Sequence, residues 1–136
     1  MLDQVLRVFN IKADYDLDVM EENQSPTDVL AQVLLRIDPA LNELKPNWVL
    51  VQGDTTTVLA TALAASYAYI PVGHVEAGLR TYDINNPYPE EGNRQLVSRI
   101  ANYNWAPTKI AFNNLKKECL KDIFLTGNTI VDACKS

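Results

Sequence analysis

The sequence predicts an α/β fold: a parallel sheet with helices on both faces. Three observations carry this. Residues 48–51, Trp-Val-Leu-Val, are a short continuous apolar run, as expected of a strand inside a parallel sheet. An Ala- and Leu-rich helical stretch separates them from a second strand at 71–75, which is close to the shortest right-handed crossover. Strand and helix signals then alternate to the end of the chain, the pattern of a parallel sheet.

The elements follow in order. Residues 1–9 place apolar side chains at 2, 5, 6 and 9, the spacing of a helix. The chain thus enters the fold in its middle, on a helix with no strand before it. Residues 10–19 alternate around Tyr15 and Leu17, which predicts an edge strand. Ser25-Pro26-Thr27-Asp28 opens a helix running to about Leu44: Ser25 caps it, Pro26 sits in its first turn, and Asp28 faces the positive dipole end. Pro39 predicts a kink or break inside it. After residues 48–51, Gly53 makes the turn, and Asp54 or Thr55 caps a helix through about Tyr67. Strand 71–75 leads into a polar, Pro-rich loop at 81–89. Pro89 starts a helix with Glu90 and Glu91 in its first turn and Leu96, Val97 and Ile100 on one face. Residues 104–106 read as a strand, Pro107-Thr108 as the start of a helix to about Cys119, and 123–125 as a further strand. Gly127-Asn128-Thr129 turns into a short final helix at 130–133. No repeat, linker or low-complexity segment is visible.

With 136 residues, 47% of them hydrophobic, the chain can bury one sizeable core as a single domain. A net charge of −5 makes it a poor partner for nucleic acid, whose phosphates require a basic face. Lys116, Lys117 and Lys121 stand close to Glu118 and Asp122 and read as a solvated helix face. Cys119 and Cys134 lack CxxC spacing and a nearby His, so a metal site is not expected, and a reducing cytoplasmic setting fits; no cofactor is expected. No apolar run approaches the roughly 20 residues a membrane span requires, and the first residues do not resemble a signal peptide. There is no GxGxxG, P-loop lysine, GxSxG or Cys/His nucleophile pattern.

The chemistry concentrates in residues 52–94. Asp54 and Glu76 each follow a strand at its C-terminal end, where open parallel sheets bind ligands. Consecutive parallel strands usually neighbour each other at about 4.8 Å, which brings these two acids to one rim. Each site residue also has a structural explanation. Asp54 can be a helix cap, and Glu76 a partner of Arg80. Thr55, Thr56 and Thr57 offer hydroxyls and N–H groups to an anion, while a run of three Thr is a poor choice for helix propensity alone. His74, two residues before Glu76, is either a hydrogen-bonded core histidine or a ligand on the same strand face. Arg80 can hold a phosphate or carboxylate in its planar fork, or make a plain salt bridge. Glu90 and Glu91 can simply offset a helix dipole, with Asn93 and Arg94 one turn on.

The run Gly53-Asp54-Thr55-Thr56-Thr57, the run His74-Val75-Glu76-Ala77-Gly78-Leu79-Arg80-Thr81 and the run Pro89-Glu90-Glu91-x-Asn93-Arg94 together resemble the non-hydrolysing UDP-N-acetylglucosamine 2-epimerases. Thr126-Gly127-Asn128-Thr129 fits as well, and the similarity spans the chain. The resemblance implies most of the N-terminal, Rossmann-like domain of a glycosyltransferase-B-like fold, residues 1–136 forming one incomplete domain without the family's first strands and without its C-terminal domain. It implies interconversion of UDP-GlcNAc and UDP-ManNAc by elimination and re-addition of UDP. The family's catalytic acids correspond to Asp54, Glu76 and Glu90. Thr55, Thr56, His74, Arg80, Glu91 and Arg94 are expected to bind substrate. Gln52 stands where many members have His. The resemblance further implies a UDP-sugar as partner, a homodimer in the full-length family, cytoplasmic location, and service to cell-envelope polysaccharide biosynthesis. This stretch alone is expected to be inactive, because the family's C-terminal domain holds the nucleotide. Two alternatives are a hydrolysing relative that gives ManNAc plus UDP, and a non-catalytic truncated domain.

Overall fold

In the computed structural model, which describes residues 2–134, four parallel strands lie in sequence order. They are β1 (Val49–Gln52), β2 (Val72–Val75), β3 (Tyr103–Ala106) and β4 (Ile123–Leu125). Six helices accompany them: α1 (Leu2–Val8), α2 (Pro26–Leu44), α3 (Thr56–Tyr67), α4 (Glu90–Ile100), α5 (Lys109–Lys117) and α6 (Ile130–Ala133). The α/β class and the parallel pairing are those the sequence predicts.

The register sorts the side chains. Val49 pairs with Val72, Val51 with His74, His74 with Asn104, and Asn104 with Ile123, so these share one face. The helices pack there. Val51, Val72, Ala62, Ala65, Val97 and Leu41 form one buried cluster, joining β1 and β2 to α2, α3 and α4. Ala106, Ala111, Leu115 and Ala77 form a second, under α5. Four buried alanines in α3 leave room for it to lie between the sheet, α2 and α4.

The expected second helical layer is where the structure differs. Leu50, Gly73, Tyr103, Trp105 and Phe124 line the other face, and Leu50 is 64% exposed. The reason is topological: strands in sequence order, joined by right-handed crossovers, send every connecting helix over the same side. On the open face Trp48 stacks on Tyr103 at 5.0 Å between ring centroids, and Phe124 meets Tyr103 edge-on. Gly73 has no space for a side chain, since a Cβ would lie 2.3 Å from the Trp105 ring.

Two local expectations are corrected. Residues 10–19 form no strand. Alternation makes a strand only where a ladder partner exists, and this segment instead lies along α2. There the Tyr15 hydroxyl donates to Glu43, and the Arg36 guanidinium donates to the carbonyls of Leu17 and Asp18. The helix α2 also runs through Pro39, so of the kink or break expected there the break does not occur. Pro39 is exposed, so the backbone bond it forfeits is lost where water can replace it. The start of α2 is as predicted. Ser25 and Asp28 form a reciprocal capping box, and Pro26 follows the cap.

Gly78 closes the turn after β2 at φ +93, and a Cβ there would lie 2.4 Å from the Ala111 carbonyl oxygen. Both the backbone conformation and a backbone contact on α5 therefore require glycine. The substitution Gly78→Ala is expected to cost about 2–4 kcal/mol. A chemical denaturation curve checks this, with a lower midpoint and an unchanged slope.

Candidate active site

The site forms at the C-terminal ends of β1 and β2. Gln52 and Val75 are the last paired residues of these strands. Beyond them the chain turns at Gly53 (φ +83) and at Glu76 (φ +65). A glutamate in the left-handed region carries a backbone cost of roughly 1–2 kcal/mol. That strain falls on one of the acids singled out by the sequence, which is where strain tends to collect when a side chain must be aimed.

The helix cap belongs to Thr55, whose hydroxyl accepts the Val58 N–H at 3.3 Å. Asp54 is thereby left free of capping. Its Oδ2 instead accepts from Arg94 Nη1 at 3.1 Å, and its backbone carbonyl accepts from Asn93 Nδ2 at 3.0 Å. Both donors lie in the second turn of α4. They tie α4 to the turn after β1 and bring Glu90, one turn earlier, to the same place. Glu90, Asn93, Thr55, Thr56 and Thr57 line one groove of about 640 Å³. Gln52 and Glu76 line a second, of about 580 Å³, with Asn128 and Thr129 before α6. The turn that carries Asp54 contributes to both. Among the described residues the carboxylates of Glu76 and Glu90 have no hydrogen-bond or ion-pair partner.

The other expected substrate contacts lie elsewhere. His74 is fully buried, and its Nε2 donates to the Gly53 carbonyl at 2.8 Å. Burial lowers its pKa, and its Nδ1 makes no hydrogen bond among the described residues. Arg80 is buried against Glu118, with Nε at 2.7 Å from Oε1 and Nη2 at 3.0 Å from Oε2, and it also donates to Ser98 Oγ. Its planar fork is filled from within the protein. Glu91 is fully buried. Its Oε2 accepts from the Thr81 N–H and from Arg94 Nε and Nη2, and its Oε1 accepts from the Tyr82 N–H and Gln95 Nε2. These three residues hold the rim together instead of facing a groove. Burial alone would raise the Glu91 pKa, but this ring of donors outweighs it and holds the carboxyl at about 2.

Asn93 was missed as a site residue, although its position three residues after Glu90 puts both on one helical face. Glu118 had no local signal, since it meets Arg80 across 38 residues.

Chemically, Glu90 lines the first groove and Glu76 the second, both carboxylates free, while the ion-paired Asp54 stands in the turn that contributes to both. Such a set can accept a proton, return a proton and stabilise positive charge. No helix among the described residues is long and apolar enough to cross a membrane.

A family model described as UDP-N-acetylglucosamine 2-epimerase matches residues 1–136. The chain is 53% identical over 135 residues to a UDP-N-acetylglucosamine 2-epimerase of Escherichia coli, covering 98% of this chain and 36% of that protein. It also resembles the crystal structure of UDP-GlcNAc 2-epimerase from Neisseria meningitidis bound to UDP-GlcNAc. There the TM-score is 0.93 at 50% identity, over 98% of this chain and 37% of that one. The Methanocaldococcus jannaschii UDP-GlcNAc 2-epimerase in complex with UDP-GlcNAc and UDP is similar too. Its TM-score is 0.88 at 45% identity, over 94% of this chain and 35% of that one. The chain thus spans about a third of the length of the relatives it matches.

Proposed function

Because the chain belongs to the UDP-N-acetylglucosamine 2-epimerase family, we propose that its acidic rim is one wall of an active site interconverting UDP-GlcNAc and UDP-ManNAc. One observation carries the reading. The hydrogen bonds from Arg94 and Asn93 to Asp54 tie α4, which begins with Glu90, to the turn after β1, beside the strand that Glu76 follows.

The reaction needs such acids. The C2 proton is not next to a carbonyl, so C1–O cleavage leads. Its electron pair leaves with UDP, and positive charge builds on the ring. Loss of the C2 proton to a base then gives the 2-acetamidoglucal. UDP re-adds at C1 while a second group delivers a proton to the opposite face of C2. Glu76 and Glu90 take the two proton-handling roles, because their carboxylates are uncommitted and sit on different elements. Asp54, with one oxygen on Arg94, supplies fixed negative charge to the cationic ring. Thr55 and Thr56 face the groove shared with Glu90 and offer hydroxyls to the substrate. The reading extends to a homodimer in the cytoplasm that supplies UDP-ManNAc to cell-envelope polysaccharide synthesis.

The test is a chimera: the Escherichia coli relative with its matched segment replaced by these 136 residues. Incubated with UDP-GlcNAc, it is expected to give UDP-ManNAc by nuclear magnetic resonance. Free ManNAc plus UDP would assign the hydrolysing reaction instead. A folded chimera that forms neither product would assign the segment to non-catalytic use.

A further inference from the structure

We propose that Arg94 and Glu91 are positioning residues for Asp54: Arg94 aims the Asp54 carboxylate, and Glu91 neutralises Arg94 so that Asp54 keeps its negative charge toward the open side. The inference rests on the reading of Asp54 as an active-site acid.

The geometry is a chain of three charges. Glu91 Oε2 accepts from Arg94 Nε at 2.6 Å and Nη2 at 2.5 Å, and Arg94 Nη1 reaches Asp54 Oδ2 at 3.1 Å. Two contacts converging on one Glu91 oxygen hold the Nε–Nη2 edge of the guanidinium inward, and so leave Nη1 on the side of Asp54. Side-chain exposure rises along the chain, from 0% at Glu91 through 10% at Arg94 to 28% at Asp54. Two carboxylates and one guanidinium leave a net charge of −1, and the carboxylate nearest solvent is Asp54. An arginine without Glu91 would cancel that charge, and its attraction for a developing cation would go with it.

The same chain ties other parts of the rim to Asp54. Glu91 accepts from the backbone of Thr81 and Tyr82, so the loop after β2 is pinned to the group that orients Arg94. Asn93, beside Arg94, holds the Asp54 carbonyl. Backbone and carboxylate of Asp54 are therefore both set from α4. Both oxygens of Glu91 are occupied, and all three Arg94 nitrogens already reach Glu91 or Asp54, leaving only the outer N–H of Nη1 and of Nη2, so a bound phosphate on Arg94 is the outcome that would distinguish direct binding from positioning.

The experiment uses the chimera with the substitutions R94K, D54N and the pair, with deuterium entry at C2 as the rate. Lysine keeps the charge but cannot span Asp54 and Glu91 with a fixed plane. R94K is expected to lower kcat by about 10²-fold, with KM for UDP-GlcNAc changed by less than about threefold. The D54N/R94K pair is expected to be no slower than D54N, because the two residues act as one unit. A raised KM with unchanged kcat, or effects that multiply in the pair, would overturn the inference. If D54N itself leaves the rate intact, the reading of Asp54 fails, and the positioning role fails with it. Should R94K not fold, a crystal structure of the unsubstituted chimera with UDP-GlcNAc decides: Arg94 is expected on Asp54 and Glu91, and Arg94 bound to a substrate phosphate would refute the proposal.

Discussion

Replacing Glu91 by Gln is expected to destabilise the fold by about 3–5 kcal/mol, the usual cost of breaking a buried ion pair from one side. Five donors converge on this carboxylate: two backbone N–H groups, two guanidinium nitrogens and the Gln95 amide. A glutamine side chain has one acceptor oxygen. Whichever way its amide turns, its NH₂ faces donors already in place, on Oε2 from Arg94 and Thr81 or on Oε1 from Tyr82 and Gln95. Arg94, itself nearly buried, would be left without its main counter-charge.

The pH dependence gives an independent measure. The folded pKa of Glu91, about 2, lies below its ordinary value of 4.5. Above about 4.5 the carboxylate is ionised in both states, and its full contribution is present. As pH falls from about 4.5 to about 2, the unfolded state binds the proton first and that contribution is lost. At roughly 1.4 kcal/mol per pH unit the gap amounts to about 3 kcal/mol, in line with the substitution estimate. Denaturant melts at pH 7, 4 and 3 should show stability falling with acid. The Glu91→Gln protein should fall less steeply over the same range. Parallel curves for both proteins would mean that Glu91 is not the group responsible.

Substitution of Glu76 or Glu90 by Gln is expected to behave in the opposite way. Their carboxylates make no internal bonds among the described residues, so stability should stay within about 0.5 kcal/mol of the parent. Removal of a general acid or base typically costs 10²–10⁴-fold in rate, and kcat of the chimera should fall by about that factor. The pairing of large activity loss with small stability change is what marks a side chain kept for chemistry. A stability loss of several kcal/mol with modest change in kcat would assign these acids to the fold.

The contrast between Glu90 and Glu91 shows where the sequence is legible. Both are acids in the first turn of a helix, and both can offset its dipole. Which one turns inward depends on Thr81, Tyr82 and Arg94, and on the close approach of the loop after β2, none of which follows from helical periodicity. Asp54 and Thr55 pose the same problem at one residue's separation, because either can cap α3. The hydrogen bond from Arg94, 40 residues away, accompanies the arrangement in which Thr55 caps. His74 and Arg80 carried both readings from the start. Their neighbours Gly53 and Glu118 come from other elements, so only the assembled fold shows them engaged within the protein. Local features with local causes were readable. The Ser25 cap of α2, the four strand segments and the turn before α6 depend on residues a few positions apart. The segment at 10–19 read as a strand because alternation was present, but a ladder needs a partner that alternation cannot supply.

The most direct test of the acidic rim is solvent exchange at C2. The chimera carrying these 136 residues is incubated with UDP-GlcNAc in D₂O, and both sugar nucleotides are then examined by mass spectrometry. Removal of the C2 proton by one carboxylate and its return by another predicts one deuterium at C2 in the UDP-ManNAc formed, and loss of that signal in Glu76→Gln and Glu90→Gln. Epimer formed without deuterium, or full exchange in both substituted proteins, would contradict it.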